Sequence, residues 1–218
     1  MITVSPSLLG CDFLNIESEM SAFRGFNDIW YHLDVMDGHF VPNLTFGHPI
    51  IKKIASISEH PLDAHFMVSN PAFYVETLKD VDLHNVTFHL EAMKDKSISI
   101  IDEAKNYFPS VGISIKPRTP FSDLSEEILN RIDLLLVMSV EPGFGGQSFI
   151  EATYDKLTEI SEYRSKHQLN FTVQVDGGVS DKNSKKLIEY GATNLVAGSY
   201  IFKAGQSEYK NQIDKMLQ

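Results

Sequence analysis

The sequence predicts an α/β protein that forms one (β/α)8 TIM barrel over residues 1–218. Three observations support this fold class: eight short apolar runs, eight amphipathic segments that alternate strictly with them, and no linker or low-complexity tract to divide the chain. Strict alternation of strands and helices is typical of parallel α/β folds, and eight repeats favour a closed barrel over an open sheet. A chain of this length is common for a single barrel domain.

The apolar runs are each about as long as a buried strand and are rich in Val, Ile, Leu and aromatic residues. In chain order they are residues 2–9, 29–35, 62–68, 85–90, 111–115, 134–140, 171–175 and 194–197. Most of them show no clean alternation of polar and apolar residues. This is expected of strands in a parallel sheet whose outer face is covered by helices.

The segments between these runs carry helix start signals. Asp12 is predicted to cap the first helix, Pro49 fits the first turn of the second, and Asn70 is predicted to cap the third. The eight predicted helices are residues 13–23, 49–57, 71–78, 97–108, 122–130, 150–167, 181–190 and 208–217.

The composition excludes several classes of protein. A net charge of −10 argues against a surface for nucleic acids or anionic membranes, because both need clustered Lys and Arg. No apolar stretch reaches the roughly 18 residues of a membrane span, and the first residues lack a signal-peptide pattern. The single cysteine, Cys11, excludes an intramolecular disulfide and fits a reducing compartment. We therefore expect a soluble cytoplasmic protein that holds any anionic ligand through backbone amides.

Polar side chains interrupt the predicted strands near the ends where barrel active sites form. His32 and Asp34 share one face of the second strand, because side chains two residues apart on a strand point the same way. His65 lies in the third strand, and Asp176 follows the seventh. Each of these residues alone also fits a structural role, as a buried histidine or a turn former. Together they predict a site for one divalent metal ion, which could be zinc, Fe(II), manganese or cobalt.

Glycine-rich turns follow the last three predicted strands. Their residues are Gly143, Phe144, Gly145, Gly146, Gly177, Gly178, Gly198 and Ser199. Adjacent glycines allow several backbone amides to approach one anion, and loops after strands seven and eight of such barrels often bind phosphate. One such turn would indicate only a change of chain direction. Three at successive strand ends predict a phosphate site.

Three further features have two readings each. Met36, Met67 and Met138 lie on or just after strands, where methionine fills cores or forms an apolar cushion around a planar, electron-rich intermediate. His89 could approach the barrel mouth, but we expect a packed interior residue. Lys116 follows the fifth strand, where a lysine could form a Schiff base as in barrel aldolases. We expect instead a loop lysine, because the metal site already accounts for carbanion stabilisation.

Five segments closely resemble the ribulose-phosphate 3-epimerase family. They are residues 5–9 (SPSLL), 32–43 (HLDVMDGHFVPN), 65–68 (HFMV), 140–147 (VEPGFGGQ) and 175–178 (VDGG). The likeness runs from Ser5 to about Phe202, nearly the whole chain, and the second and fourth segments are long enough to be very specific.

The resemblance implies a function and a role for each candidate residue. It implies that His32, Asp34, His65 and Asp176 bind one metal ion, with Asp34 as base and Asp176 as acid in one direction. Ser7 and His65 would contact the substrate, and the glycine-rich turns would hold its phosphate. The implied reaction is epimerisation of D-ribulose 5-phosphate to D-xylulose 5-phosphate at C3, through an enediolate, in the pentose phosphate pathway. Family members form dimers or hexamers, so a homo-oligomer is expected.

Three alternative functions stay open at this point. A sister enzyme could epimerise a ketohexose phosphate such as allulose 6-phosphate with the same metal and acids, although the glycine-rich turns look more like those of the pentulose enzyme. A Schiff-base aldolase would use Lys116. A barrel that binds a sugar phosphate without catalysis would serve as a sensor.

Overall fold

Eight parallel strands form the centre of the structure, a computed structural model that describes residues 2–218. The strands are β1 (Thr3–Pro6), β2 (Tyr31–Met36), β3 (Leu62–Met67), β4 (Asn85–His89), β5 (Ser110–Ile115), β6 (Leu134–Met138), β7 (Thr172–Asp176) and β8 (Asn194–Ala197). They pair in the order β1-β8-β7-β6-β5-β4-β3-β2. Backbone hydrogen bonds from Val4 to Asp28 and from Trp30 to Val4 join the two edges of this sheet. The sheet is therefore a nearly closed barrel, and the predicted fold class is confirmed.

Helices follow the strands and cover the outside of the barrel. Within residues 2–218 the α-helices are α1 (Ile16–Ser21), α2 (His48–Ile57), α3 (Pro71–Leu78), α4 (Leu90–Met93), α5 (Ser97–Ala104), α6 (Glu126–Leu129), α7 (Thr153–Lys166), α8 (Ser184–Glu189), α9 (Ser199–Phe202) and α10 (Tyr209–Met216). The short helices α4 and α9 were not predicted. In the described part of the chain, no helix has both the length and the apolar composition that crossing a membrane requires.

Apolar side chains pack on both faces of the sheet. In β6, Leu135 and Val137 belong to the large core between the strands and the helices, whereas Leu134, Leu136 and Met138 form a separate cluster. Alternate residues of one strand therefore belong to different apolar clusters. Strand β6 therefore shows no polar face, whereas β4 alternates the buried polar residues Asn85, Thr87 and His89 with apolar ones.

The prediction of Asp12 as a helix cap is wrong. Its carboxylate accepts hydrogen bonds from the backbone N–H of Leu14 (3.0 Å) and from the side chain of Asn15 (2.7 Å). These contacts stabilise a turn, so α1 begins at Ile16, four residues after Asp12.

Two other element bounds also differ from prediction. The first strand ends early because Ser7 starts a 3-10 turn over Leu8–Gly10, in which its hydroxyl accepts from the N–H of Leu9. The helix predicted over residues 122–130 is divided, because Ser125 has an extended backbone and its hydroxyl caps the N–H of Ile128 at the start of α6. Local hydroxyl-to-backbone bonds decide both boundaries.

Candidate metal centre and active site

The strands β2, β3 and β7 bring the four predicted ligands together. Their parallel register places Asp34 of β2 beside His65 of β3. His32 lies two residues before Asp34 on the same face of β2, and Asp176 is the last residue of β7. One potential ligand atom from each of the four residues lies within 4.8 Å of the others.

The spacing of these ligand atoms suits a metal ion. His32 Nε2 lies 3.5 Å from Asp34 Oδ1 and 3.9 Å from Asp176 Oδ2. His65 Nδ1 lies 3.4 Å from Asp34 Oδ1 and 3.8 Å from Asp176 Oδ2. Ligand atoms bound about 2.0–2.2 Å from a tetrahedral metal ion are roughly 3.3–3.6 Å apart. The four residues therefore fit one cation with only small adjustments.

Two unpaired nitrogens support the same conclusion. His32 Nε2 and His65 Nδ1 are buried and have no hydrogen-bond partner among the described residues. An unpaired buried nitrogen is uncommon in native proteins, since burial removes its bond to water. The other ring nitrogens are partnered, because His32 Nδ1 lies 2.7 Å from Asp63 Oδ2 and His65 Nε2 lies 2.9 Å from His89 Nε2. Both rings are thus oriented with a free nitrogen toward the two aspartates.

Asp63 fixes the ring of His32 from behind. This carboxylate is fully buried and also accepts hydrogen bonds from Asn85 Nδ2 (2.7 Å) and Gln174 Nε2 (2.6 Å). A carboxylate behind a metal-binding histidine sets its tautomer and orientation. Asp63 was not among the predicted site residues, although it lies two residues before His65 and shares the inward face of β3.

The two carboxyl groups of the site have opposite pKa shifts. Burial opposes ionisation of Asp34, but His32 and His65 outweigh it and hold the pKa of Asp34 far below its usual range. Burial and the negative charge of Asp34 raise the pKa of Asp176 to about 7. The hydroxyl of Ser7 donates to Asp34 Oδ2 at 2.6 Å. The pair thus combines an ionised carboxylate with a carboxyl group that readily holds a proton.

The neighbouring histidines also have shifted pKa values. Burial lowers the pKa of His65, and it lowers that of His89 to about 4. Burial would likewise lower the pKa of His32, but the nearby carboxylates outweigh it and raise the pKa well above the usual value. Burial would raise the pKa of Glu91, but hydrogen bonds, the largest from His89, lower it to about 2.

A cavity of about 390 Å³ opens beside the two aspartates, a volume typical of small-molecule sites. Its lining includes the residues Ser7, Asp34, Met36, Met67, Met138, Gly143, Phe144, Gly145, Gly146, Asp176, Gly177, Gly178, Gly198 and Ser199. His65 is fully buried and is not part of this lining, so its predicted contact with the substrate stays a prediction. Lys116 also lies outside the lining, with its Nζ 4.1 Å from the centre of the Phe40 ring.

The turn after β7 can be formed only by glycines without strain. Gly177 and Gly178 have φ angles of +119° and +64°, which other residues rarely adopt. A Cβ atom on Gly177 would lie 2.4 Å from Val140, and one on Gly178 would lie 2.8 Å from the backbone of Phe149. These positions therefore bring bare backbone to the edge of the cavity.

Lys203 is a lining residue that the sequence analysis missed. It is exposed and follows α9, and it is the one basic residue among those described that line the cavity. The acidic lining residues are Asp34, Glu141 and Asp176. No local pattern marks Lys203, because its place at the cavity depends on the path of the chain after β8.

Comparison with known proteins gives consistent matches over most of the chain. The sequence model described as the ribulose-phosphate 3 epimerase family matches residues 3–202. A Mycobacterium tuberculosis protein named ribulose-phosphate 3-epimerase is 38% identical over 201 residues, which cover 92% of this chain and 86% of that protein. A Treponema pallidum protein of the same name is 38% identical over 200 residues, covering 92% and 91%. A rice protein named as its cytoplasmic isoform is 38% identical over 205 residues, covering 93% and 88%.

Solved structures with a similar fold include the tryptophan synthase α-subunit of Pyrococcus furiosus. One of its mutant structures matches with a TM-score of 0.68, covering 100% of this chain and 99% of that one. The two sequences are 16% identical in this match. The likeness therefore concerns the barrel fold alone.

Proposed function

This chain belongs to the ribulose-phosphate 3-epimerase family, and we propose that it epimerises D-ribulose 5-phosphate at C3 to D-xylulose 5-phosphate. The observation that carries this proposal is that two imidazoles and two carboxylates lie close together beside the cavity. The family relationship supports epimerisation as the reaction class. The residue roles that follow are part of the proposal.

We assign one divalent metal ion to His32, Asp34, His65 and Asp176. Two nitrogen and two carboxylate oxygen ligands suit zinc, Fe(II), manganese or cobalt. When bound, such an ion supplies a Lewis acid that stabilises negative charge developing on the substrate oxygens. The unpaired nitrogens of His32 and His65 support this assignment, because a cation would give both a partner.

Asp34 and Asp176 form the proposed acid/base pair. Epimerisation requires one group to remove the proton at C3 and another to return a proton to the opposite face of the enediolate. In the barrel, β2 and β7 are separated by β1 and β8, so Asp34 and Asp176 approach the centre from different directions. In one direction Asp34 takes the proton from C3, and Asp176, in its protonated form, delivers one to the opposite face. The reverse reaction exchanges these roles.

The remaining lining residues bind and orient the substrate in this proposal. Ser7 holds Asp34 in place and faces the cavity. The side chains of Met36, Met67 and Met138 keep water away from the planar intermediate. The backbone amides of the turns after β6, β7 and β8 bind the phosphate group. Phosphate binding by amides suits a chain with a net charge of −10.

Lys203 is expected to add an attractive charge for the phosphate. Replacing it with methionine, Lys203→Met, should raise KM for ribulose 5-phosphate about fivefold, since an exposed ion pair contributes roughly 1 kcal/mol. The value of kcat should change little, because the contact lies away from C3. Steady-state kinetics at two ionic strengths would measure both effects.

Lys210→Met is the matched control, because Lys210 is exposed on α10 and pairs with Asp214. This role would be contradicted if KM were unchanged, or if kcat fell about fivefold as well.

The substrate itself is tested by comparing two sugar phosphates. We expect the metal-loaded protein to convert ribulose 5-phosphate with a much higher kcat/KM than allulose 6-phosphate. It should also incorporate deuterium from solvent at C3. The opposite preference would identify the ketohexose-phosphate enzyme, and binding without deuterium incorporation would identify a sensor. Borohydride trapping of Lys116 with the substrate would identify an aldolase.

The oligomeric state and the cellular location stay predictions from the sequence. A homo-oligomer, dimeric or hexameric, is expected from the family resemblance. The names of the relatives describe more than one location, because the rice protein is called cytoplasmic and an Arabidopsis thaliana relative is called chloroplastic. A cytoplasmic location therefore rests on the reducing environment that the single cysteine suggests.

A further inference from the structure

His65 must be in one particular tautomer if it is to bind a metal ion. Only an unprotonated ring nitrogen can act as a ligand, and Nδ1 is the nitrogen that faces Asp34 and Asp176. The proton of the neutral ring then lies on Nε2. His65 Nε2 is 2.9 Å from His89 Nε2, so the His89 nitrogen has to accept this proton's hydrogen bond. That requirement places the ring proton of His89 on Nδ1.

In this tautomer His89 Nδ1 donates a hydrogen bond, and the carboxylate of Glu91 is placed to accept it. His89 Nδ1 lies 3.2 Å from Glu91 Oε2. An ionised carboxylate can only accept, so it favours the His89 tautomer that carries its proton on Nδ1. His89 is fully buried, so no bulk water competes for this nitrogen.

We infer that His89 and Glu91 are positioning residues for the metal site: Glu91 sets the tautomer of His89, and His89 thereby keeps Nδ1 of His65 free for the metal ion. The inference deepens the proposed function and rests on it in one respect, the assignment of His65 as a ligand. Partners behind a metal-binding histidine commonly change metal affinity about 10- to 100-fold when they are lost.

The carboxylate of Glu91 is itself held in place from the other side. Its Oε1 accepts the backbone N–H of Lys116 at 2.8 Å and the hydroxyl of Thr119. The segment 116–119 is in turn fixed by Lys156 of α7. Its ammonium group donates to the backbone oxygens of Lys116 (3.0 Å), Pro117 (2.9 Å) and Thr119 (2.7 Å). A connected set of hydrogen bonds therefore runs from His65 to an outer helix.

The second metal-binding histidine provides an internal comparison. His32 bonds directly to the carboxylate of Asp63, which Asn85 and Gln174 also hold. This set shares no residue with the chain of bonds through His89 and Glu91. Loss of Glu91 should therefore affect the environment of His65 and leave that of His32 intact.

The first test is the zinc affinity of Glu91→Gln, measured by competition with a chelator. A glutamine amide can donate to His89 Nδ1 and so favours the opposite tautomer, which we expect to weaken zinc binding about 10- to 100-fold. Glu19→Gln is the matched control. Glu19 is also a buried carboxylate, bonded to Tyr209 and Gln206 away from the site, and its replacement should leave zinc affinity unchanged. Wild-type affinity in Glu91→Gln would overturn the inference.

A second variant separates tautomer control from a structural effect on segment 116–119. In His89→Gln the amide oxygen can accept from His65 Nε2, and no ring tautomer remains for Glu91 to select. Adding Glu91→Gln to this variant should cause no further loss of zinc affinity. A loss equal to that in the wild-type background would mean that residue 91 acts through the loop, and the inference would fail.

Nitrogen NMR of the zinc-loaded protein with labelled histidines gives an independent readout. We expect His89 to carry its proton on Nδ1 and His65 on Nε2. A proton on Nε2 of His89 would contradict the inference. These measurements do not depend on catalysis. A protein that binds zinc through this arrangement but lacks epimerase activity would refute only the proposed function.

Discussion

Replacing Asp176 with asparagine is expected to abolish epimerisation while leaving the barrel folded. An asparagine amide can neither deliver nor take a proton at this position, and a positioned acid or base typically contributes about 10²- to 10⁴-fold to the rate. The carboxyl group of Asp176 is suited to this role, because burial and Asp34 raise its pKa to about 7. The coupled assay of xylulose 5-phosphate formation measures the effect on turnover, and circular dichroism checks the fold.

Asp176 is also a proposed ligand, so the Asp176→Asn assay must separate proton transfer from metal loss. Turnover should be measured at saturating metal, with the bound ion quantified in the same sample. Xylulose 5-phosphate should be undetectable even when the ion is bound, although Asp34 can still exchange the C3 proton of ribulose 5-phosphate with solvent deuterium. Asp155→Asn on the exposed face of α7 is the control and should behave like wild type. Turnover near the wild-type rate in Asp176→Asn would refute the role of this residue as the second acid.

Removing the divalent ion with a chelator is expected to eliminate turnover and to lower the melting temperature. Without a cation, His32 Nε2 and His65 Nδ1 are buried with no partner among the described residues, and the charge of Asp34 opposes ionisation of Asp176. An ion present at 100 to 1,000 times its Kd stabilises a folded protein by about 3–4 kcal/mol, so the shift should be readily measured.

Reloading the stripped protein with individual ions completes this experiment. Zinc, Fe(II), manganese and cobalt should each be compared for restored turnover and restored melting temperature. Magnesium is a useful contrast, because it prefers sites made only of oxygen ligands and this site offers two imidazoles. Full activity in protein shown to contain no metal would contradict the proposed mechanism.

Much of the fold could be predicted from the sequence because each strand is buried on both faces. Runs such as 134–138 are apolar at every position, since their alternate residues pack in different apolar clusters. Helix boundaries were less predictable. Asp12 and Ser125 both have side chains that can cap a helix, but only the hydroxyl of Ser125 does so. Which local bond forms depends on the path of the surrounding chain.

The four proposed ligands could be identified because they are histidines and aspartates in buried strands, close to the end where barrel active sites form. Strand periodicity placed His32 and Asp34 on one face, and the barrel architecture brought His65 and Asp176 to the same end. Their mutual distances required coordinates, because those depend on register between strands.

The supporting residues were harder to predict. The proposed roles of His89 and Glu91 depend on tertiary contacts: His89 contacts β3, and Glu91 contacts the loop after β5. Lys203 reaches the cavity through the path of the chain after β8. Contacts of this kind join segments that are distant in sequence, and no local pattern records them. Asp63 is different, because its position two residues before His65 on one strand was a usable signal.

The most direct test of the central claim is an anomalous-scattering map of crystals of the protein loaded with zinc or cobalt. We predict one strong peak per chain about 2.0–2.2 Å from His32 Nε2, His65 Nδ1, Asp34 and Asp176. Collecting data on both sides of the metal absorption edge would identify the ion. The absence of such a peak in protein that retains full activity, or a peak bound by other side chains, would contradict the account.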